Sequence, residues 1–222
     1  MMHFREKQTL KFSKHQLLLY AITDRMWIPN MTLEEAVQKA ILGGATMIQL
    51  REKHLPLKNF IHQASSIQEI TKKYNIPLII NDNVEVALAV DADGIHVGQE
   101  DTPAKEIRQT IGNDKILGVS AQTIAQALQA TQDGADYIGV GSIFSTPTKK
   151  DADHVSLDTL CSICQKSTVP VVAIGGINEN NALELVDTHI SGIAVVSAIF
   201  ASPDPYESAK TMRHLAQRIV KI

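Results

Sequence analysis

The stretch Thr46-Met47-Ile48-Gln49-Leu50-Arg51-Glu52-Lys53 begins as a strand and ends as a binding surface. Its apolar half has strand length and stops abruptly in an amide, two cations and a carboxylate. Seven other runs do the same: Leu17–Ile22, Pro77–Ile80, Gly94–Val97, Ile116–Val119, Tyr137–Val140, Val169–Ile174 and Gly192–Val196. Their polar ends read Thr23-Asp24-Arg25, Asn81-Asp82, Gln99-Glu100-Asp101, Ser120, Thr146-Pro147-Thr148-Lys149-Lys150, Gly175-Gly176 and Ser197. The runs are nearly continuous in Ile, Val and Leu, as expected of strands covered on both faces.

Helical signals fill the intervals. Thr32 and Glu35 form a capping box ahead of Ala36, Ala40 and Ile41. Thr102-Pro103 places a proline in a first helical turn, and Gly43-Gly44 and Gly134 mark helix ends. Met212, Leu215 and Ile219 recur at helical spacing near the C-terminus. A weak echo, Gly43-Gly44-Ala45, Ala92-Asp93-Gly94, Gly134-Ala135-Asp136 and Ser191-Gly192, precedes four of the strands. Alternation of strand and helix calls for parallel pairing with right-handed crossovers. The expected fold is a TIM (β/α)8 barrel, one domain over residues 1–222 with a polar N-terminal extension at 1–16. An open doubly wound sheet that binds a dinucleotide would carry G-x-G-x-x-G after its first strand, and Thr23-Asp24-Arg25 has no glycine.

Composition narrows the function classes. With 222 residues, 44% hydrophobic and 20% charged, the chain has the balance of a globular protein with one sizeable core. A formal charge of -3, with no basic run interleaved with aromatics, argues against a nucleic-acid partner. Residues 1–16 lack an apolar signal-peptide core, and no run is long enough to span a bilayer, so the expected location is the cytoplasm. Homo-oligomerisation is left open. Cys161 and Cys164 sit in a helical segment without further zinc ligands and read as ordinary small helix residues. His96, inside the fourth strand with no second histidine at ligand spacing, reads as packed rather than ligating.

The strand ends carry the chemistry, because a barrel gathers them on one rim. Gln49, Arg51 and Lys53 share one parity and project together, whereas Leu50 and Glu52 face the other way. The alternative for Arg51-Glu52-Lys53 is a solvated charge cluster; the shared parity at a rim favours an anion clamp. Asp82 and Asp101 end neighbouring strands and suit Mg²⁺, although an Asx turn and a helix cap are alternative uses. The hydroxyl- and lysine-rich segment from Gly141 to Lys150 reads as a phosphate loop or as plain polar surface. Gly175-Gly176 and Ser197 follow strands 7 and 8, where barrels commonly bind phosphate.

The ordered set Gln49-Leu50-Arg51-Glu52-Lys53, Asn81-Asp82, Gly98-Gln99-Glu100-Asp101, Gly118-Val119-Ser120, Thr146-Pro147-Thr148-Lys149-Lys150, Gly175-Gly176 and Val196-Ser197 closely resembles the thiamin-phosphate synthase family. The resemblance runs from Leu18 to the C-terminal helix. It implies transfer of a pyrimidinylmethyl group from 4-amino-2-methyl-5-(hydroxymethyl)pyrimidine diphosphate to 4-methyl-5-(2-phosphooxyethyl)thiazole, giving thiamin phosphate and pyrophosphate. It also implies residue roles. Gln49, Leu50, Arg51, Glu52, Lys53, Asn81, Ser120 and Lys149 would hold the pyrimidine diphosphate, with Arg51, Lys53 and Lys149 catalytic. Asp82 and Asp101 would bind Mg²⁺; Thr146, Pro147, Thr148, Gly176, Val196 and Ser197 would bind the thiazole phosphate. Gln122 stands where the family often has His, and Asn83 where a second Asp is frequent. Rival readings are a thiazole tautomerase-like isomerase on the same fold and a Schiff-base aldolase using Lys149.

Overall fold

The computed structural model describes residues 12–28, 31–146 and 154–222. Eight parallel strands close in sequence order: β1 Leu19–Ile22, β2 Met47–Leu50, β3 Leu78–Asn81, β4 Gly94–Val97, β5 Ile116–Ala121, β6 Tyr137–Val140, β7 Val171–Ile174 and β8 Gly192–Val195. Register ties the ends together, with Ile22 beside Gln49 and Asn81 beside His96. The helices are α1 Leu33–Leu42, α2 Leu57–Lys73, α3 Val84–Ala89, α4 Ala104–Ile111, α5 Ile124–Gln132, α6 Leu157–Lys166, α7 Ser197–Phe200 and α8 Pro205–Val220. None among the described residues is long and apolar enough to cross a membrane.

The alternation of side chains along each strand divides the core in two. Residues such as Ile48, Leu50, Leu78, Ile80 and Ile95 face outward and pack against the helices with Val37, Phe60, Ile67 and Ile107. The opposite parity fills the barrel with Tyr20, Ile22, Met47, Ile79, Tyr137, Val172 and Ala194. Thr32 and Glu35 make the expected capping box on α1, and Met212, Leu215 and Ile219 lie on the buried face of α8. Cys161 and Cys164 are free thiols within α6.

Three expectations need correction. β1 starts at Leu19, because Lys14–Leu17 form a 3-10 turn whose Gln16 side chain accepts from the Ser13 amide. That turn closes the N-terminal end of the barrel: Leu17 joins the interior, and Phe12 stacks on Tyr137 with ring centroids 5.9 Å apart. Pro103 occupies the N-cap position of α4 rather than its first turn. Between β7 and β8 the chain makes only a short 3-10 turn, Ala182–Leu185, where a full helix was expected.

Candidate active site

Among the described residues the polar strand ends open on one mouth; Pro147, Thr148, Lys149 and Lys150 of the β6 end lie outside the described residues. On β2, parity places the side chains as expected. Gln49 points into the barrel, and its Nε2 donates to the Tyr20 hydroxyl at 2.6 Å. The Arg51 guanidinium pairs with Asp24 at 2.6 Å, and the Arg51 amide donates to the Thr23 hydroxyl at 3.1 Å. The Lys53 ammonium pairs with Asp82, also at 2.6 Å. Leu50 and Glu52 turn away. Leu50 is fully buried in the outer core, and Glu52 meets Arg25 at 2.6 Å. Burial raises the Glu52 carboxyl despite Arg25. Neither side chain faces the mouth, so inclusion of Leu50 and Glu52 in a substrate contact set can refer only to their backbone.

Asp82 has a φ of 60°, a left-handed conformation that Asp tolerates better than most residues. This turn takes its carboxylate across the mouth, where Oδ2 meets Lys53 and Oδ1 accepts from Asn81 Nδ2 at 2.5 Å. Burial raises the Asp82 carboxyl; Lys53 draws it back, and the Asp101 carboxylate, within hydrogen-bonding reach, pushes it up again. Asp101 accepts from the Gly98 amide at 2.7 Å. Neither carboxylate caps a helix: Asn83 caps α3 by accepting from the Val86 amide, and α4 starts without a side-chain cap. The Asn83 departure is therefore absorbed by a capping role that Asn performs as well as Asp. Gln122 contributes its backbone amide to Gln126.

The opposite side of the mouth is built from the loops after β6, β7 and β8. Gly175 and Gly176 have φ of 100° and 65°, which only glycine adopts freely. The Asn178 and Asn181 side-chain amides both donate to the Gly176 carbonyl, at 3.1 and 2.9 Å, and fix its direction. The loops are stitched by Ile143 N–H to the Ile174 carbonyl and Phe144 N–H to the Gly175 carbonyl, both 3.0 Å. Val196 then precedes α7, the short extra helix that a barrel phosphate site uses, and Ser197 opens its first turn. First-turn amides have no intrahelical acceptor and suit an anion. Thr146 ends the described part of the β6 loop; Pro147, Thr148 and Lys149 lie outside the described residues.

Between the two sides runs a polar file that the sequence did not signal as a site. The Tyr20 hydroxyl bonds the Tyr137 hydroxyl at 2.8 Å, and Tyr137 bonds His96 Nδ1 at 3.0 Å. His96 Nε2 then bonds the Ser120 hydroxyl at 2.9 Å. Burial lowers the His96 imidazole to about 4, keeping it neutral. It is packed in the barrel interior, and both of its ring nitrogens are used within the file.

The buried imidazole has a measurable consequence. Between its ordinary value of 6.5 and about 4, the unfolded chain binds a proton that the folded chain refuses. The contribution is therefore complete above pH 6.5 and is lost as pH falls through about 4. Its size is on the order of 3 kcal/mol from the shift. Urea denaturation across this window should show a shallower acid-side loss of stability for His96→Asn than for the wild type. Parallel curves would contradict it.

Comparison with known proteins gives the family. The family model described as thiamine monophosphate synthase matches residues 19–199. The chain belongs to the thiamine monophosphate synthase family. It is 54% identical over 200 residues to thiamine-phosphate synthase of Ruminiclostridium cellulolyticum, covering 90% of this chain and 95% of that protein. It is 55% identical over 186 residues to the Clostridium tetani thiamine-phosphate synthase, covering 84% and 89%. The solved thiamine phosphate pyrophosphorylase of Pyrococcus furiosus superposes with a TM-score of 0.86 at 38% identity, covering 93% of this chain and 98% of that one. A geranylgeranylglyceryl phosphate synthase from Thermoplasma acidophilum, at 15% identity and a TM-score of 0.66, shares the fold alone. The chain is thus a transferase that moves a pyrimidinylmethyl group with release of pyrophosphate.

Two groups were missed by sequence reasoning. Asp24, quoted only as part of a strand end, is the partner of Arg51; charge complementarity across the β1–β2 rim is the signal that could have found it. Tyr20 and Tyr137 were read as apolar strand residues, although buried tyrosine hydroxyls need partners.

Proposed function

We propose that the two sides of the mouth hold the two substrates. Gln49, Arg51, Lys53, Asn81 and Ser120, with Lys149, take the pyrimidine diphosphate. Gly176, Val196 and Ser197, with Thr146, Pro147 and Thr148, take the thiazole phosphate. The observation that carries this reading is the charge arrangement beside β2. Arg51 and Lys53 each lie 2.6 Å from a carboxylate, and Asp101 brings a further negative charge next to Asp82. A diphosphate cannot enter such a place on the strength of two already-paired cations. It fits if a divalent cation joins it.

Asp82 and Asp101 suit Mg²⁺ in kind and number. Among the described residues no three His, Cys, Asp or Glu side chains converge. Mg²⁺ uses few carboxylates and takes its remaining ligands from phosphates and water. When bound it supplies charge neutralisation for the departing diphosphate. The protein groups do the rest. Arg51 offers a planar fork and Lys53 a point charge once each exchanges its carboxylate for substrate oxygen. Asn81 holds Asp82 in place through its 2.5 Å bond. The amides after β7 and at the start of α7 fix the thiazole phosphate, so that the thiazole nitrogen is placed to capture the pyrimidinylmethyl cation left when the diphosphate departs with the electrons of the carbon–oxygen bond. No protein nucleophile is needed, and positioning supplies much of the rate.

The test is direct. Purified protein given both heterocycles should release pyrophosphate and form thiamin phosphate with Mg²⁺, and should stop when excess chelator is added. Equal turnover with chelator present rejects the metal. Failure to couple the heterocycles with Mg²⁺ present rejects the substrate assignment.

A further inference from the structure

The file Gln49, Tyr20, Tyr137, His96, Ser120 crosses the barrel from β2 to β5 with no gap longer than 3.0 Å. Its members come from five strands, β2, β1, β6, β4 and β5. Neighbouring strands carry glycine where side chains would block it. A Cβ on Gly118 would overlap Tyr137 and His96, and one on Gly139 would press on His96 Cε1 at 3.1 Å. The interior is thus shaped around these rings. Phe12 stacks beneath Tyr137 and closes the floor.

Counting hydrogens shows what the file does. Each tyrosine hydroxyl has one hydrogen, and both residues are essentially sealed from water, so that hydrogen must go to a neighbour in the file. With the Gln49 amide nitrogen toward Tyr20, Tyr20 donates to Tyr137, Tyr137 donates to His96 Nδ1, and His96 Nε2–H donates to Ser120. Ser120 then has its own hydrogen to present to the mouth, while Gln49 presents its oxygen. If the Gln49 amide turns over, every bond reverses: Ser120 donates to His96 and presents lone pairs, while Gln49 presents its NH2. A neutral imidazole satisfies both arrangements. Each has one end donating and the other accepting; the two mixed patterns leave a buried group unpaired.

We infer that Tyr20, Tyr137 and His96 act as positioning residues that lock the hydrogen-bond polarity of Gln49 to that of Ser120, so that the two ends greet a heterocycle as one donor and one acceptor. This rests on the placement of the pyrimidine at Gln49 and Ser120 proposed above. An aminopyrimidine, with an NH2 donor beside ring-nitrogen acceptors, has the matching pattern. The lock makes recognition at one end depend on the other.

Remote, independent positions contribute additively to within about twofold in affinity. The experiment is a double-mutant cycle on Gln49→Met and Ser120→Ala, reading the Kd of the pyrimidine diphosphate with Mg²⁺ and without the thiazole. Each single change should weaken binding about tenfold. The double variant should be at least fivefold tighter than the product of the two losses. Repeated in a Tyr137→Phe background, which removes one oxygen from the middle of the file, the non-additivity should fall below twofold. Tyr20→Phe interrupts the neighbouring link and serves if Tyr137→Phe fails to fold. Additive losses in the wild-type background overturn the lock while leaving the pyrimidine site in place. Coupling that survives both tyrosine changes overturns it too. If neither single change alters Kd, the pyrimidine placement itself falls, and the lock with it.

Discussion

Asp101→Asn should fold normally and lose at least about a thousandfold in turnover, the scale expected when a metal ion's several kcal/mol of charge stabilisation is withdrawn. Asn isolates charge from structure. The Asp101 side chain accepts from the Gly98 amide at 2.7 Å, and an amide oxygen can accept that bond equally. Asp101 is exposed and does not cap α4, so even Asp101→Ala should cost only about 1 kcal/mol of stability. Removal of the charge also relieves Asp82, whose carboxyl the Asp101 carboxylate helps to raise. The measurement pairs initial rates across a Mg²⁺ titration with a thermal melt. Activity within threefold of the wild type at saturating Mg²⁺ would show that Asp101 is not part of the metal site. A collapsed melt would show that its role is structural.

How far the sequence leads can be judged at particular residues. Short continuous apolar runs and capping signals were enough for eight strands and their direction, because each end changes polarity within one or two residues. Parity separated Gln49, Arg51 and Lys53 from Leu50 and Glu52 without any coordinates, since side-chain alternation is a property of the strand itself. What parity could not supply was partnership. That Arg51 finds Asp24 and Lys53 finds Asp82 depends on the β1–β2–β3 register, which is set by packing across the whole barrel.

The interior file was illegible for a different reason. In a strand buried on both faces, inner and outer residues are equally apolar, so Tyr20 and Tyr137 looked like their neighbours. The trace they left is glycine: Gly118 and Gly139 lie on the inner parity of adjacent strands, against the His96 and Tyr137 rings. Inside a strand glycine usually weakens, unless something approaches closely. The connection between β7 and β8 failed on length. The seventeen residues 175–191 accommodate either a helix or an irregular path (about 1.5 Å per residue in the former). Asn178 and Asn181 spend their side chains on the Gly176 carbonyl and leave only a 3-10 turn behind them.

The strongest test of that interior is Gly118→Ala, a change of one methyl group in the middle of β5. The register sets Gly118 beside His96 on one side and Tyr137 on the other. An added Cβ would overlap the Tyr137 ring and hydroxyl as well as His96 Nδ1. Neither ring can yield easily. Tyr137 is held by Tyr20 and His96 and floored by Phe12, and His96 is held by Tyr137 and Ser120. Overpacking of this kind costs about 1–3 kcal/mol. Separation of Tyr137 from His96 would add about 1–3 kcal/mol for each buried polar atom left alone. Together these approach about 5 kcal/mol, a large share of a typical folding free energy. For a chain of this size the melting temperature should fall by about 10–20 °C. Gly112→Ala is the control that separates space from backbone. Gly112 has a φ of 72° with nothing within 4 Å of an added Cβ, so its substitution meets backbone strain alone. With ψ at -168° this is a conformation that glycine alone adopts readily, and the strain should cost about 1–3 kcal/mol. If Gly118→Ala melts within 2–3 °C of the wild type, or no lower than Gly112→Ala, the rings are not the tightly built interior described. The file between Gln49 and Ser120 would then be a loose packing that substrate could rearrange at will, with no power to couple its two ends.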